Sequence, residues 1–169
     1  MIEIPESRLL EIRDHAEREY PDECCGVVLS TSKDAWIVRR CTNIQDELHR
    51  KHPASFPRTA RTAYYIDPRE QMEMLRDVEE QGWTIRGFYH SHPDHPAHFS
   101  EEDERRATPW GAPLYPDAFY LIIEVMEGKA ADLACFAWNR AAARFVEMGH
   151  DVIRPSSFVV GRSPKQTSQ

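Results

Sequence analysis

The chain has 169 residues, 41% hydrophobic and 29% charged, the balance of one folded domain large enough to bury a substantial core. Twenty-one Lys and Arg against 28 Asp and Glu leave a net charge of -7, which argues against nucleic acid as a partner, because that binding is driven by clustered cations on phosphates. No apolar run approaches the roughly 20 residues a membrane helix needs, and "MIEIPESRLLEIRD" lacks the basic-then-apolar order of a secretory signal, so a cytoplasmic protein with no membrane partner is expected.

A short strand is expected at Ile2 to Ile4. A helix follows over about Ser7 to Tyr20, where Leu9, Leu10, Ile12, Ala16 and Tyr20 make an apolar stripe and Pro21 stops the run. "CCGVVLS" reads as a buried strand, "TSKD" as a turn and "AWIVRRC" as its hairpin partner. Cys24, Cys25, Cys41 and Cys135 include no C-x-x-C pair, and adjacent thiols bridge poorly. They read as small core hydrophobes rather than a disulfide framework or a four-cysteine zinc site.

From Thr42 to about Thr62 the pattern fails, with two prolines and no sustained apolar period. A long loop is expected there, either solvated or touching substrate, and it carries Arg50, Lys51, Arg58 and Arg61. "AYYI" reads as a short strand. Asp67, Pro68 and Glu70 then make a helix start, with the helix running to about Glu80 and ending near Gly82. "WTIRGFYH" returns as a strand, "SEEDERRA" as a short helix and "TPWGAPLYPD" as a loop. "AFYLIIEVM" and "ADLACFAWN" form a second hairpin, and "RFVEM" adds a strand. The whole predicts a single α/β domain over 1–150, a mixed β-sheet flanked by helices, with a polar tail over 151–169.

The densest chemistry lies in "GFYHSHPDHPAHFSEED". His90 and His92 stand at i and i+2 at the end of a strand, so alternation sends both imidazoles to one face. Asp103 follows eleven residues later, inside the next helix. Two neutral imidazoles and one carboxylate suit a borderline metal such as zinc and leave a fourth position open, as in catalytic sites. Each piece has a plainer account. An isolated H-x-H pair is usually incidental, and Ser100-x-x-Asp103 also fits a helix capping box, which would occupy the carboxylate structurally. His95 and His98 sit in a loop and are expected to be solvated rather than ligands.

Taken together, His90-Ser91-His92-Pro93, six residues, then Ser100-x-x-Asp103 resembles the signature of the JAMM/MPN metallopeptidases, the JAB domains, over roughly Ile2 to Met148. The resemblance implies the MPN/JAB, cytidine-deaminase-like fold. It implies one Zn2+ per chain on His90, His92 and Asp103, with Ser100 stabilising the reacting carbonyl. The family's upstream glutamate is matched by Glu23 in "YPDECCGVVLS", where it would act as general base. The implied activity is hydrolysis of the amide bond after the C-terminal glycine of a ubiquitin-like protein. Small stand-alone bacterial members point to a sulfur-carrier-amino-acid peptidase; the long Thr42–Thr62 segment keeps an isopeptidase or maturase for a bacterial ubiquitin-like modifier as the alternative. The implied partner is a ubiquitin-like protein or sulfur carrier whose extended tail adds as a strand at a sheet edge. Outside this class stand a metal-free MPN scaffold, a non-haem iron oxygenase built on two histidines and a carboxylate, and a cysteine hydrolase using Cys24 or Cys25. A scaffold typically lacks some ligands, and this chain lacks none.

Overall fold

The structure is a computed structural model and describes residues 3–149. Helix α1 (Glu6–Glu19) sets Leu9, Ile12 and Ala16 on one buried stripe. A hairpin follows, in which β1 (Cys25–Ser30) pairs antiparallel with β2 (Trp36–Cys41), as the two apolar runs predict. After α2 (Gln45–Lys51), α3 (Pro68–Gln81) begins as its sequence demands. Asp67 accepts from the Arg69 N–H, Pro68 occupies the first position, and Gly82 ends the helix at φ 63°, a left-handed conformation glycine adopts without strain.

The chain then crosses the sheet as β3 (Thr84–Pro93), turns through α4 (Glu101–Ala107), and closes with β4 (Phe119–Met126), β5 (Lys129–Asn139) and β6 (Arg144–Met148). The strand order is β2-β1-β3-β4-β5-β6, antiparallel throughout except for the parallel β3–β4 pair. It is the mixed, helix-flanked α/β sheet the pattern predicts. α1 covers one face through Val28, Tyr89, Leu121 and Ile123. On the other face Val27 and Leu29 pack with Met74 of α3, while Tyr120 and Ile122 pack with Ala107 of α4. All four cysteines are buried and free, so they serve as apolar core groups.

Three expectations change. Glu3 and Ile4 form no strand; Ile4 is buried in the α1 core as a loop residue, and the remainder of that expected strand lies outside the described residues. Part of the long loop is helical, because the Gln45 side chain donates to the Arg58 carbonyl at 2.8 Å and Asp46 accepts from the Ala60 N–H at 2.6 Å, a support no local period reveals. "AYYI" makes only a single bridge, Ile66 to Asn43, since Tyr64 turns toward the site instead. The tail over 151–169 lies outside the described residues, among which no helix is long and apolar enough to cross a membrane.

Candidate active site

Alternation along β3 divides its residues cleanly: Tyr89 joins the α1 core, while Phe88 packs on the opposite face with His90 and His92 in phase with it. Their Nε2 atoms come within 3.1 Å of each other. The first turn of α4 brings Asp103 in from the side, its Oδ1 3.3 Å from His90 Nε2 and its Oδ2 3.9 Å from His92 Nε2. The three side chains are buried, and their ligand atoms all lie within 4.8 Å of one another.

This geometry fits a cation. His92 Nδ1 lies 2.9 Å from the Pro96 carbonyl oxygen, an acceptor only, so Nδ1 carries the hydrogen and Nε2 keeps its lone pair for the centre. Two ring nitrogens 3.1 Å apart beside a carboxylate need a proton or a metal ion between them. Burial opposes the charge on His90, but the adjacent Asp103 outweighs it and raises the His90 pKa, whereas burial and the His90 charge push His92 down to about 4. Burial alone would raise Asp103; His90 and the Ser100 hydrogen bonds hold it well below the usual carboxylate range.

The capping box and the ligand cluster, rival readings of Asp103 in the sequence, coexist. Asp103 Oδ2 accepts from the Ser100 N–H at 2.9 Å and the Ser100 Oγ–H at 2.5 Å, and Ser100 Oγ accepts from the Asp103 N–H at 3.2 Å. That leaves Oδ1 for His90.

Register supplies the remaining group. Cys25 pairs with His90, and the Ser91 N–H donates to the Cys24 carbonyl at 3.2 Å, so Glu23 enters beside His92 along the same edge. Glu23 is only 6% exposed, and burial pushes its carboxyl up to about 7. With His92, Ser100 and Asp103 it lines a cavity of about 370 Å³. His95 and His98 line the same cavity but stand outside the ligand cluster, with the His98 ring edge-on to His92 at 5.2 Å.

Sequence reasoning passes over three supporting residues. The Tyr64 ring stacks on His90 at 4.7 Å. Arg106 donates to the Tyr64 carbonyl, pairs with Glu102 at 2.8 Å, and lies 5.8 Å from the Tyr64 ring centre. Asn43 ties Glu23 to the Tyr64 segment. Only the aromatic pair in "TAYYID" hints at any of these.

Residues 5–140 match the family of prokaryotic homologs of the JAB domain. The chain belongs to the prokaryotic JAB-domain family. This JAB domain is 34% identical over 118 residues to a desampylase of Haloferax volcanii, covering 69% of this chain and 73% of the relative. It is 33% identical over 110 residues to a probable TtuB-protein conjugate cleaving protease of Thermus thermophilus, covering 65% of each. It is 27% identical over 122 residues to a CysO-cysteine peptidase of Mycobacterium tuberculosis, covering 72% of each. Family and relatives together place the domain among the JAMM-type metallopeptidases.

Proposed function

We propose that the protein is a zinc-dependent peptidase that cuts the amide bond after the C-terminal glycine of a ubiquitin-like protein, with a sulfur carrier joined to an amino acid as its substrate. One observation carries this reading: the His90, His92 and Asp103 donors converge within 4.8 Å, and His92 and Asp103 line a cavity together with the buried carboxyl of Glu23. Two imidazoles, one carboxylate and an open fourth position are the donor set of catalytic zinc. Zinc held there would supply a water acidified from ~15.7 toward ~7 and polarise the scissile carbonyl. The CysO-cysteine relative supports the substrate class.

The chain's own residues do the rest. Glu23 takes a proton from the attacking water on its carboxylate and returns it to the leaving amine, a task suited to a carboxyl whose proton affinity burial has raised toward neutrality. His92 is held in the ligating tautomer by the Pro96 carbonyl. Ser100 donates its Oγ–H to the carbonyl oxygen as negative charge develops there. That hydrogen points at Asp103 Oδ2, and it must turn from that oxygen to reach the carbonyl. One such donor contributes about 3 kcal/mol. The TtuB-conjugate relative supports a second reading, cleavage of an isopeptide-linked modifier by the same groups.

Intact-mass spectrometry tests the function. CysO extended by a C-terminal cysteine, and CysO linked to a lysine side chain, are each incubated with zinc-loaded wild type, with Glu23→Gln, and with wild type plus chelator. Cleavage after the glycine by the zinc-loaded wild type alone is the expected result. Equal cleavage by Glu23→Gln overturns the role of Glu23, and a zinc-loaded wild type that cuts neither substrate overturns the function.

A further inference from the structure

Two cavities meet at the ligand cluster. Beside the first lies a second, of about 590 Å³, walled by Phe56, Tyr65, Phe88 and Tyr115, and Arg58, Tyr64, Asp103 and Arg106 line both. The two arginines at this junction differ in one respect. Arg106 is committed to Glu102, to the Tyr64 carbonyl and to two tyrosine rings. The Arg58 guanidinium has no hydrogen bond or ion pair among the described residues.

Its backbone, by contrast, is anchored on both sides. The Arg58 carbonyl accepts from the Gln45 amide at 2.8 Å, and Gln45 is 1% exposed. The Ala60 N–H is held by Asp46, and the Glu23 N–H donates to the Ala60 carbonyl at 2.7 Å. The segment carrying Arg58 is thus tied directly to the residue carrying Glu23. The Arg58 charge also acts on that carboxyl, working against the rise that burial produces.

A peptidase cutting after glycine meets one of two leaving groups. In a C-terminal amino acid the α-carboxylate carbon stands two bonds from the leaving nitrogen, so a full negative charge sits beside the reacting atoms. In a lysine-linked conjugate that space takes methylenes, and a guanidinium there loses water without gaining a partner. A planar, permanently charged guanidinium at the junction matches the first case and penalises the second. We propose that Arg58 is a specificity-determining residue that binds the free α-carboxylate of a single amino acid attached beyond the carrier's glycine. This rests on the peptidase function above and settles which amide is preferred.

The test uses three probes: CysO-cysteine with a free C-terminal carboxylate, the same chain ending in a carboxamide, and a lysine-linked CysO conjugate. Zinc-loaded wild type, Arg58→Gln and Arg58→Lys are compared by kcat and KM. Binding of the probes to Glu23→Gln, alone and combined with Arg58→Gln, is measured by calorimetry. Wild type should favour the carboxylate over the carboxamide by roughly tenfold or more, as expected when a charged group loses its partner. Arg58→Gln should bring the carboxylate down to the carboxamide through KM, with Arg58→Lys between them, and calorimetry should show the same ratio appearing and vanishing. Equal handling of carboxylate and carboxamide by wild type, or a ratio that survives Arg58→Gln, overturns the assignment while leaving the peptidase function in place. If wild type cuts none of the three and Glu23→Gln binds none, the function itself falls, and the assignment with it.

Discussion

The Asn43 side chain donates to the Glu23 carbonyl at 2.9 Å and to the Ala63 carbonyl at 3.2 Å, while its oxygen accepts from the Gln45 and Tyr65 N–H groups, each at 3.0 Å. An amide offers two donors and two acceptor lone pairs in one plane, and every one is used. The residue therefore fixes the entry to β1 relative to the segment whose Tyr64 ring stacks on His90. Asn43→Asp keeps the acceptors but turns an oxygen toward two carbonyls. Turnover should fall by roughly tenfold to a hundredfold, the usual effect of misplacing a reacting group by about an ångström. Metal content, measured by elemental mass spectrometry, should stay at wild-type level. Loss of metal instead would mean that the network supports the ligands rather than Glu23.

Glu23→Gln should abolish turnover and yet stabilise the metal-free fold. Burial raises the Glu23 carboxyl from 4.5 to about 7. An acid whose folded pKa is raised contributes fully below its unfolded pKa and loses that contribution as pH climbs through the folded value. Wild type therefore carries an ionised buried carboxyl at alkaline pH that the variant lacks. Urea unfolding of the metal-free proteins should show the variant ahead by up to about 3 kcal/mol near pH ~8, with the gap closing toward pH ~4. A gap that does not change with pH would place the Glu23 carboxyl in solvent.

What the sequence reveals about this site follows from period and spacing. Alternation alone brings His90 and His92 to one face, and three-residue spacing puts Ser100 and Asp103 in one helical cap. Whether Asp103 caps or ligates cannot be decided from spacing, because a carboxylate has two oxygens and here they are divided between the tasks. α2 escapes detection for a different reason. "QDELHRK" contains one apolar residue, and its helix is supported by Gln45 and Asp46 reaching backbone 13 and 14 residues away. Asn43 is equally silent, and Arg58 stands out only as one of four cations in the 42–62 segment, since an amide or a guanidinium in a polar stretch acquires meaning only from what the fold sets beside it.

Ser100→Ala separates the cap from the chemistry. The variant loses the acceptor for the Asp103 N–H and one donor to Asp103 Oδ2, while the Ser100 N–H still reaches that oxygen. Stability should fall by about 1 kcal/mol, the usual cost of removing a capping hydroxyl. Metal content should persist, because Oδ1 faces His90 without help from the hydroxyl. Turnover should drop by roughly a hundredfold or more if the hydroxyl serves the developing oxyanion. Asp103→Ala, by contrast, should lose the metal as well as the cap, as His92→Ala should lose the metal. A Ser100→Ala variant of undiminished kcat would confine Ser100 to capping.

On the opposite face, His15 governs acid stability. It is 5% exposed, and its Nδ1 lies 2.8 Å from the Tyr89 hydroxyl. Tyr89 in turn fills the space above Gly26, where an added Cβ would stand 2.3 Å from the ring. Burial, reinforced by the Arg40 charge, pushes the His15 pKa from 6.5 to about 4. A base whose folded pKa is lowered leaves the unfolded chain binding the extra proton between those values, so stability falls as pH drops through that window. His15→Gln can retain a hydrogen bond to Tyr89 but does not titrate. Between pH ~7 and pH ~4 wild type should lose up to about 3 kcal/mol relative to the variant, read by urea unfolding at matched salt. If the two curves run parallel, His15 takes up its proton inside the folded protein, and Tyr89 and α1 must then part to admit water.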